Sequence, residues 1–261
     1  MSDVVVHREG DVVHLTIDRP AAKNALSPSV VEGLEAALDD AEDARVVVLR
    51  GRGGTLSAGA DLHHVRRLLA DGDGLEAYLV AIGAVCDRLE SGPFVSVAVV
   101  DGYALAGGCE LLLACDLAVA ADDARIGDRH LEFGLLPGAG GSVRLPRALP
   151  PPLARRLLYT GEMIDGATAG AWGLVSHTAA PDELEGTVEA LVARLARHGP
   201  DALRGMKRMY RAAAPAPAPE LFAAERAALV EHLTTSSTVA DGLGAFARRS
   251  ETRPTTAQEA P

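Results

Sequence analysis

Short apolar runs alternate with longer amphipathic stretches over the first half of the chain, so strands and helices are predicted in turn. Val4–His7 and Val12–Asp18 read as the arms of a hairpin turning at Glu9-Gly10-Asp11. Ser27-Pro28 opens a helix. Ser27 offers an N-cap oxygen, Pro28 fits the first turn, and Val30, Val31, Leu34, Ala37 and Leu38 share one side. Arg45-Val46-Val47-Val48-Leu49-Arg50 is an apolar run bounded by charge, the pattern of a strand covered on both faces. A Gly-rich loop from Gly51 to Asp61 follows, with Asp61 placed to cap a helix over Leu62–Leu69. Leu75–Glu90 is predicted helical and Phe94–Val100 a buried strand. After a turn at Asp101-Gly102, a helix over Cys109–Cys115 and a strand over Leu117–Ala121 complete this part.

The last third changes period. Leu153–Leu158, Asp165–Trp172, Asp182–His198 and Asp201–Tyr210 read as helices, with one short strand candidate at Leu174–His177. Ala212–Pro219, rich in Ala and Pro, reads as a connector. Helices over Glu220–Leu233 and Val239–Arg249 follow it, and the chain from Ser250 onward reads as a disordered tail. No repeat of 20–50 residues and no heptad run is visible. The expectation is an α/β fold with a largely parallel sheet. Its core would span residues 1–195, a helical C-terminal portion 196–249 and the tail 250–261.

Composition narrows the function. With 261 residues, 48% of them apolar, a sizeable core is available. No apolar run approaches the ~20 residues that span a bilayer, and Met1-Ser2-Asp3-Val4 lacks the features of a signal peptide. A cytoplasmic protein that does not associate with membranes is expected. A net charge of −11 and 3% aromatic residues argue against nucleic acid as a partner. Cys86, Cys109 and Cys115 fit neither a disulfide framework nor a zinc cluster and read as small buried hydrophobes. His63 and His64 diverge if adjacent on a helix, so no metal site is expected.

The Gly-rich loops carry the chemistry. None is a P-loop, and none is a dinucleotide fingerprint after the first strand, so a nicotinamide cofactor is not expected. Gly138-Ala139-Gly140-Gly141 imitates one, but late in the chain and after Pro137. The loops fit a different use of backbone. Removing a proton beside a thioester puts negative charge on the carbonyl oxygen, and two fixed N–H donors stabilise it; each such donor is worth about 3 kcal/mol of barrier. Gly107-Gly108, at the start of a helix, clears room for such an approach and adds the favourable helix end. The exit Leu56-Ser57-Ala58-Gly59-Ala60-Asp61 can present a second N–H.

Five segments together resemble the enoyl-CoA hydratase/isomerase (crotonase) family, in its order and spacing. They are Arg19-Pro20-Ala21-Ala22-Lys23-Asn24-Ala25-Leu26, Ser57-Ala58-Gly59-Ala60-Asp61-Leu62, Asp101 through Glu110, Phe133 through Gly141, and Leu158 through Val175. The resemblance extends over residues 4–249. It implies a crotonase-like spiral of ββα units with a helical C-terminal portion, and a homotrimer or a hexamer built as a dimer of trimers. It implies no tightly bound cofactor: coenzyme A would enter as part of the acyl-CoA substrate. By the same resemblance the oxyanion N–H groups are those of Ala60 and Gly107, and Glu110 is the first catalytic carboxylate. CoA contacts fall on Ala22, Lys23, Ala58, Ala60, His63 and Gly107, with Phe246 and Arg249 at the adenine end.

One position departs from the family pattern. Hydration needs a second proton-transfer group, and the second Glu position falls on His130, within Gly127-Asp128-Arg129-His130-Leu131-Glu132-Phe133. Three readings stand open: His130 replaces the second Glu, Glu132 substitutes through a shifted loop, or the site runs on Glu110 alone. The expected activity is that of an enoyl-CoA hydratase or isomerase, adding or removing water across an α,β double bond. Another enolate reaction of the family (isomerisation, decarboxylation, a biosynthetic dehydration) is the alternative, and a non-catalytic acyl-CoA binding protein is the alternative of a different class.

Overall fold

In the structure, a computed structural model that describes residues 3–71 and 73–212, the predicted hairpin forms as β1 (Val4–Glu9) and β2 (Val12–Ile17), with Gly10 turning at φ +58°. These strands open a six-stranded sheet that continues through β3 (Val46–Gly51), β5 (Val95–Val100), β7 (Leu117–Ala121) and β10 (His177–Ala179). The pairing is antiparallel at β1–β2 and parallel from β2 onward. Val46, Val47, Val48 and Leu49 are fully buried, as a strand covered on both faces requires.

A second sheet was hidden in the loops. Its strands are β4 (Thr55–Ser57), β6 (Tyr103–Leu105), β8 (Arg125–Gly127) and β9 (Ile164–Asp165), in that order. β4, β6 and β8 run parallel and β9 antiparallel. Each of β3–β4, β5–β6 and β7–β8 puts a long strand in the first sheet and a three-residue strand in the second before a helix follows. That is the ββα unit. Three residues are too few to show a two-residue period, so the sequence presents these strands as loop.

The helices that accompany the two sheets are α1 (Pro28–Asp39), α2 (Leu62–Asp71), α3 (Leu75–Ser91), α4 (Gly107–Ala114), α5 (Gly141–Ala148), α6 (Pro151–Thr160), α7 (Gly166–Trp172) and α8 (Leu184–Ala196). Ser27 caps α1 by accepting the Val30 N–H at 3.3 Å, and the five predicted apolar positions of α1 are buried. Asp165 caps α7 in the same way, accepting the Thr168 N–H at 2.8 Å. One helix was not expected, and one strand is displaced. α5 has no sequence signal, because it starts on glycines and holds Pro146. The strand expected at Leu174–His177 lies later, at His177–Ala179, because Leu174 and Val175 close the end of α7 with their N–H groups on Ala169 O.

The chain divides into two compact units, residues 1–197 and 198–261. In the second, α9 (Pro200–Ala212) is described. The connector, the two further helices and the tail expected beyond it lie outside the described residues. No helix among the described residues is long and apolar enough to cross a membrane.

Candidate active site

Two turns meet at the start of α4. In the first, after β4, Gly59 takes φ +101° and its N–H donates to Ser57 Oγ at 3.1 Å. In the second, after β6, Ala106 holds φ +49° and ψ −117°, a region that costs a non-glycine residue about 1–3 kcal/mol. Its N–H donates to Gly127 O and its carbonyl accepts the Glu110 N–H, each at 3.0 Å, so β8 and α4 enforce the bend. The turns touch. A Cβ on Gly59 would stand 2.9 Å from Gly107 N, one on Gly107 would stand 3.4 Å from Ala60 N, and one on Gly108 would meet Ser57 O at 2.1 Å. The N–H groups of Ala60 and Gly107 have no acceptor among the described residues. Two free amides from separate turns therefore stand side by side.

The segment Arg19–Leu26 is laced to the first turn. Ala58 N–H donates to Lys23 O at 3.0 Å and Leu26 N–H to Gly59 O at 2.8 Å. Lys23 and Asn24 both take left-handed φ, 51° and 53°. Buried Asn24 stabilises this bend: its Oδ1 accepts the Arg19 N–H and its Nδ2 donates to the carbonyls of Arg52 and Thr55. Ala22, Lys23, Ala58, Ala60 and Gly107 are thus gathered on neighbouring turns, with Ala22 and Lys23 exposed. Asp61 caps α2, its Oδ1 accepting the N–H groups of His63 and His64 at 3.0 and 3.2 Å. Burial would raise the Asp61 carboxyl, but these N–H groups and Arg19 hold it below its ordinary range. The Tyr78 hydroxyl accepts the Asp61 N–H at 3.1 Å and donates to Leu26 O, and burial pushes it up to about 12.

Glu110 lies three residues beyond Gly107 on α4, on the same face of the helix. It is 3% exposed, and its Oε1 accepts the N–H groups of Ala139 and Gly141 at 2.8 and 2.9 Å. Its Oε2 lies 3.8 Å from Nε2 of His130. The other imidazole nitrogen, Nδ1, is 3.0 Å from Oδ1 of Asp128, which is 2% exposed. Burial would lower the His130 pKa. The hydrogen bond and charge of Asp128, with the charge of Glu110, outweigh it and leave the imidazole above its ordinary value. Carboxylate, imidazole and carboxylate form one buried row.

The structure brings His130 to Glu110. Glu132 is exposed instead, its Oε2 3.7 Å from Arg129 Nη2. His63 sits exposed on the first turn of α2. Phe246 and Arg249 lie outside the described residues. Cys86 and Cys109 are buried thiols whose pKa burial raises, and Cys115 is half-buried. Sequence reasoning missed Arg144. Its guanidinium donates to Ala139 O at 2.7 Å, Glu90 Oε2 at 2.8 Å and Asp87 Oδ1 at 2.7 Å, tying the loop that holds Glu110 to α3.

The ββα units that share two sheets, with two free amides at the start of α4 and a buried carboxylate–imidazole–carboxylate row, describe a crotonase-type fold. Among solved structures, an enoyl-CoA hydratase from Bacillus anthracis superposes with a TM-score of 0.89 at 29% identity, covering 95% of this chain and 96% of that one. A Geobacillus kaustophilus counterpart gives 0.86 at 33% identity, covering 98% of each. The family described as enoyl-CoA hydratase/isomerase matches residues 7–255. Among curated relatives, the 2,3-dehydroadipyl-CoA hydratase of Escherichia coli strain K12 is 37% identical over 81% of this chain and 82% of its own length. The chain belongs to the enoyl-CoA hydratase/isomerase family.

Proposed function

We propose that this protein adds water across the α,β double bond of an enoyl-CoA thioester. The thioester oxygen accepts from the amides of Ala60 and Gly107, which carry its charge as the enolate forms. Glu110 and His130 share the proton transfers, and CoA lies along Ala22, Lys23, Ala58 and His63. A homotrimer or a dimer of trimers in the cytoplasm completes the reading.

The observation that carries it is the 3.8 Å between Glu110 Oε2 and His130 Nε2. That gap lets one water, at ~2.8 Å from each, hydrogen-bond both groups at once. The activities of named relatives support hydration: a crotonyl-CoA hydratase of Syntrophomonas wolfei is 34% identical over 77% of this chain. A Thermobifida fusca structure at TM-score 0.83 and 27% identity holds acetoacetyl-CoA. Imidazole in place of a second carboxylate favours a second reading, an isomerisation, decarboxylation or dehydration that needs no water attack.

Water addition and α-proton exchange, measured side by side on straight-chain, dicarboxylic and aromatic enoyl-CoA esters, separate the two readings. Hydration of at least one ester, abolished by Glu110→Gln with acyl-CoA binding retained, is the expected result. Proton exchange without hydration of any ester would replace hydration by the second reading. Binding without either reaction would make the protein an acyl-CoA binder.

A further inference from the structure

We propose that Asp128 is a positioning residue that fixes the roles in the acid–base pair: its hydrogen bond to Nδ1 keeps His130 a cation whose Nε2–H is the acid, and leaves Glu110 the base. The inference rests on the hydration reading for its kinetic consequences, but not for its ring chemistry.

The geometry assigns the protons. Asp128 Oδ1 is an acceptor, so Nδ1 carries hydrogen. Glu110 Oε1 accepts two backbone N–H groups, so Oε2 is the oxygen left facing the ring. Nε2 therefore faces a second acceptor at Oε2, and an imidazole between two acceptors is best satisfied with both nitrogens protonated. The surrounding charges agree. Glu110 faces the ring from α4, Asp128 from the end of β8, and the loop before α5 contributes N–H groups already bound to Glu110. The nearby Cys109 thiol stays neutral. Arg129, the adjacent cation, is committed to Gly161 O and Glu132. Its left-handed φ of 58° is what folds Asp128 and His130 onto each other.

The step balances. Water oxygen bonds the β-carbon and gives one proton to Glu110 Oε2. The π electrons pass to the thioester oxygen, held by the two amides. The enolate then takes the Nε2 proton onto its α-carbon and the carbonyl reforms. Glu110 is left protonated and His130 neutral, and return of the proton from Oε2 to Nε2 restores both.

The test is the pH profile of Asp128→Asn in the full-length enzyme. An acid at His130 makes kcat fall as pH rises through its pKa. Removing the Asp128 charge is expected to move that alkaline limb to a pH about tenfold higher in proton concentration. It should also cut kcat about 10- to 100-fold, with KM nearly unchanged. Asp128→Glu, which keeps the charge, should hold the limb near the wild-type pH and also serves where the Asn variant does not fold. In a His130→Gln background Asp128→Asn should add nothing. Titration of the His130 ring nitrogens by NMR checks the pairing without turnover, so it stands even where wild-type enzyme hydrates no ester. An alkaline limb and a ring titration unmoved by Asp128→Asn would overturn the assignment.

Discussion

Nε2 of His130 stands 3.8 Å from Oε2 of Glu110, while Oε1 of the same carboxylate is bound by the N–H groups of Ala139 and Gly141. One oxygen is spent on holding position and the other is left for chemistry. A carboxylate fixed at one end cannot rotate away from its partner, so the reacting oxygen is aimed before any substrate arrives.

The aim depends on a loop, and the loop depends on Arg144. Its three donors reach Ala139 O, Glu90 and Asp87 from a side chain that is 11% exposed. Arg144→Ala should cost about 2 kcal/mol of stability, the usual range for hydrogen bonds to charged groups. It should also lower kcat about 10-fold, because a 1 Å misplacement of a reacting group is enough for such a loss. Urea unfolding and steady-state kinetics on the same preparation check both, and Arg144→Lys should recover less than half of either, since a single ammonium cannot span the three acceptors.

Close approach of α4 to β4 makes a second demand. Ser57 O would lie 2.1 Å from a Cβ on Gly108, and the clash is with backbone, which cannot swing aside. Gly108→Ala should therefore push the Gly107 amide away from that of Ala60. Expected outcomes are a stability loss of about 1–3 kcal/mol and a kcat loss near 100-fold, the order found when one oxyanion donor is removed. Thermal unfolding and hydration kinetics are the measurements. Unchanged turnover would place the thioester oxygen elsewhere.

How much of this was legible in the residues follows from where each constraint lives. The turn and helix start at Gly107-Gly108 were readable because small residues, a turn and a helix start fall in one stretch, whereas Ala60 and Glu110 were singled out by the resemblance of their two segments to the family. The short strands β4, β6 and β8 were not, because three residues cannot show a period and the sheet they form exists only through their mutual pairing. Asp128 stands two residues before His130, so the pairing could be raised from the sequence, but its geometry depended on the backbone of Arg129, whose left-handed φ no side-chain pattern announces. Arg144 depended on Asp87 and Glu90, more than fifty positions upstream on α3. Contacts made across that separation leave no local trace.

The His130 pairing has a stability signature that is independent of turnover. Its folded pKa lies above the ordinary value of about 6.5. Stability from its partners is therefore fully present below about pH 6.5 and is lost as pH rises through the folded value. Wild type minus His130→Gln, compared by urea unfolding at pH 6 and pH 9, should show the larger wild-type advantage at pH 6. The difference between the two pH values should be on the order of 1 kcal/mol. An advantage that grew toward pH 9 would mean a neutral imidazole.

Asp61 carries the opposite sign. Its carboxylate caps α2 through the N–H groups of His63 and His64 and lies 3.4 Å from Arg19 Nη1, and its pKa is held below the ordinary carboxyl range. The stability it supplies is present above the unfolded pKa of about 3.9 and lost as pH falls through the lower folded value. Asp61→Ala should destabilise the protein by about 1 kcal/mol at neutral pH, the usual worth of an N-cap. That difference should shrink as the pH is lowered to about 3. Turnover should suffer more modestly than in Gly108→Ala. The Asp61 N–H, which survives the substitution, still donates to the Tyr78 hydroxyl, and Tyr78 in turn holds Leu26 beside Ala60. Adding Tyr78→Phe removes that second tie, so the double variant should lose several-fold more kcat than the sum of the single effects on a logarithmic scale. Additive single effects would show that cap and hydroxyl position the Ala60 amide independently.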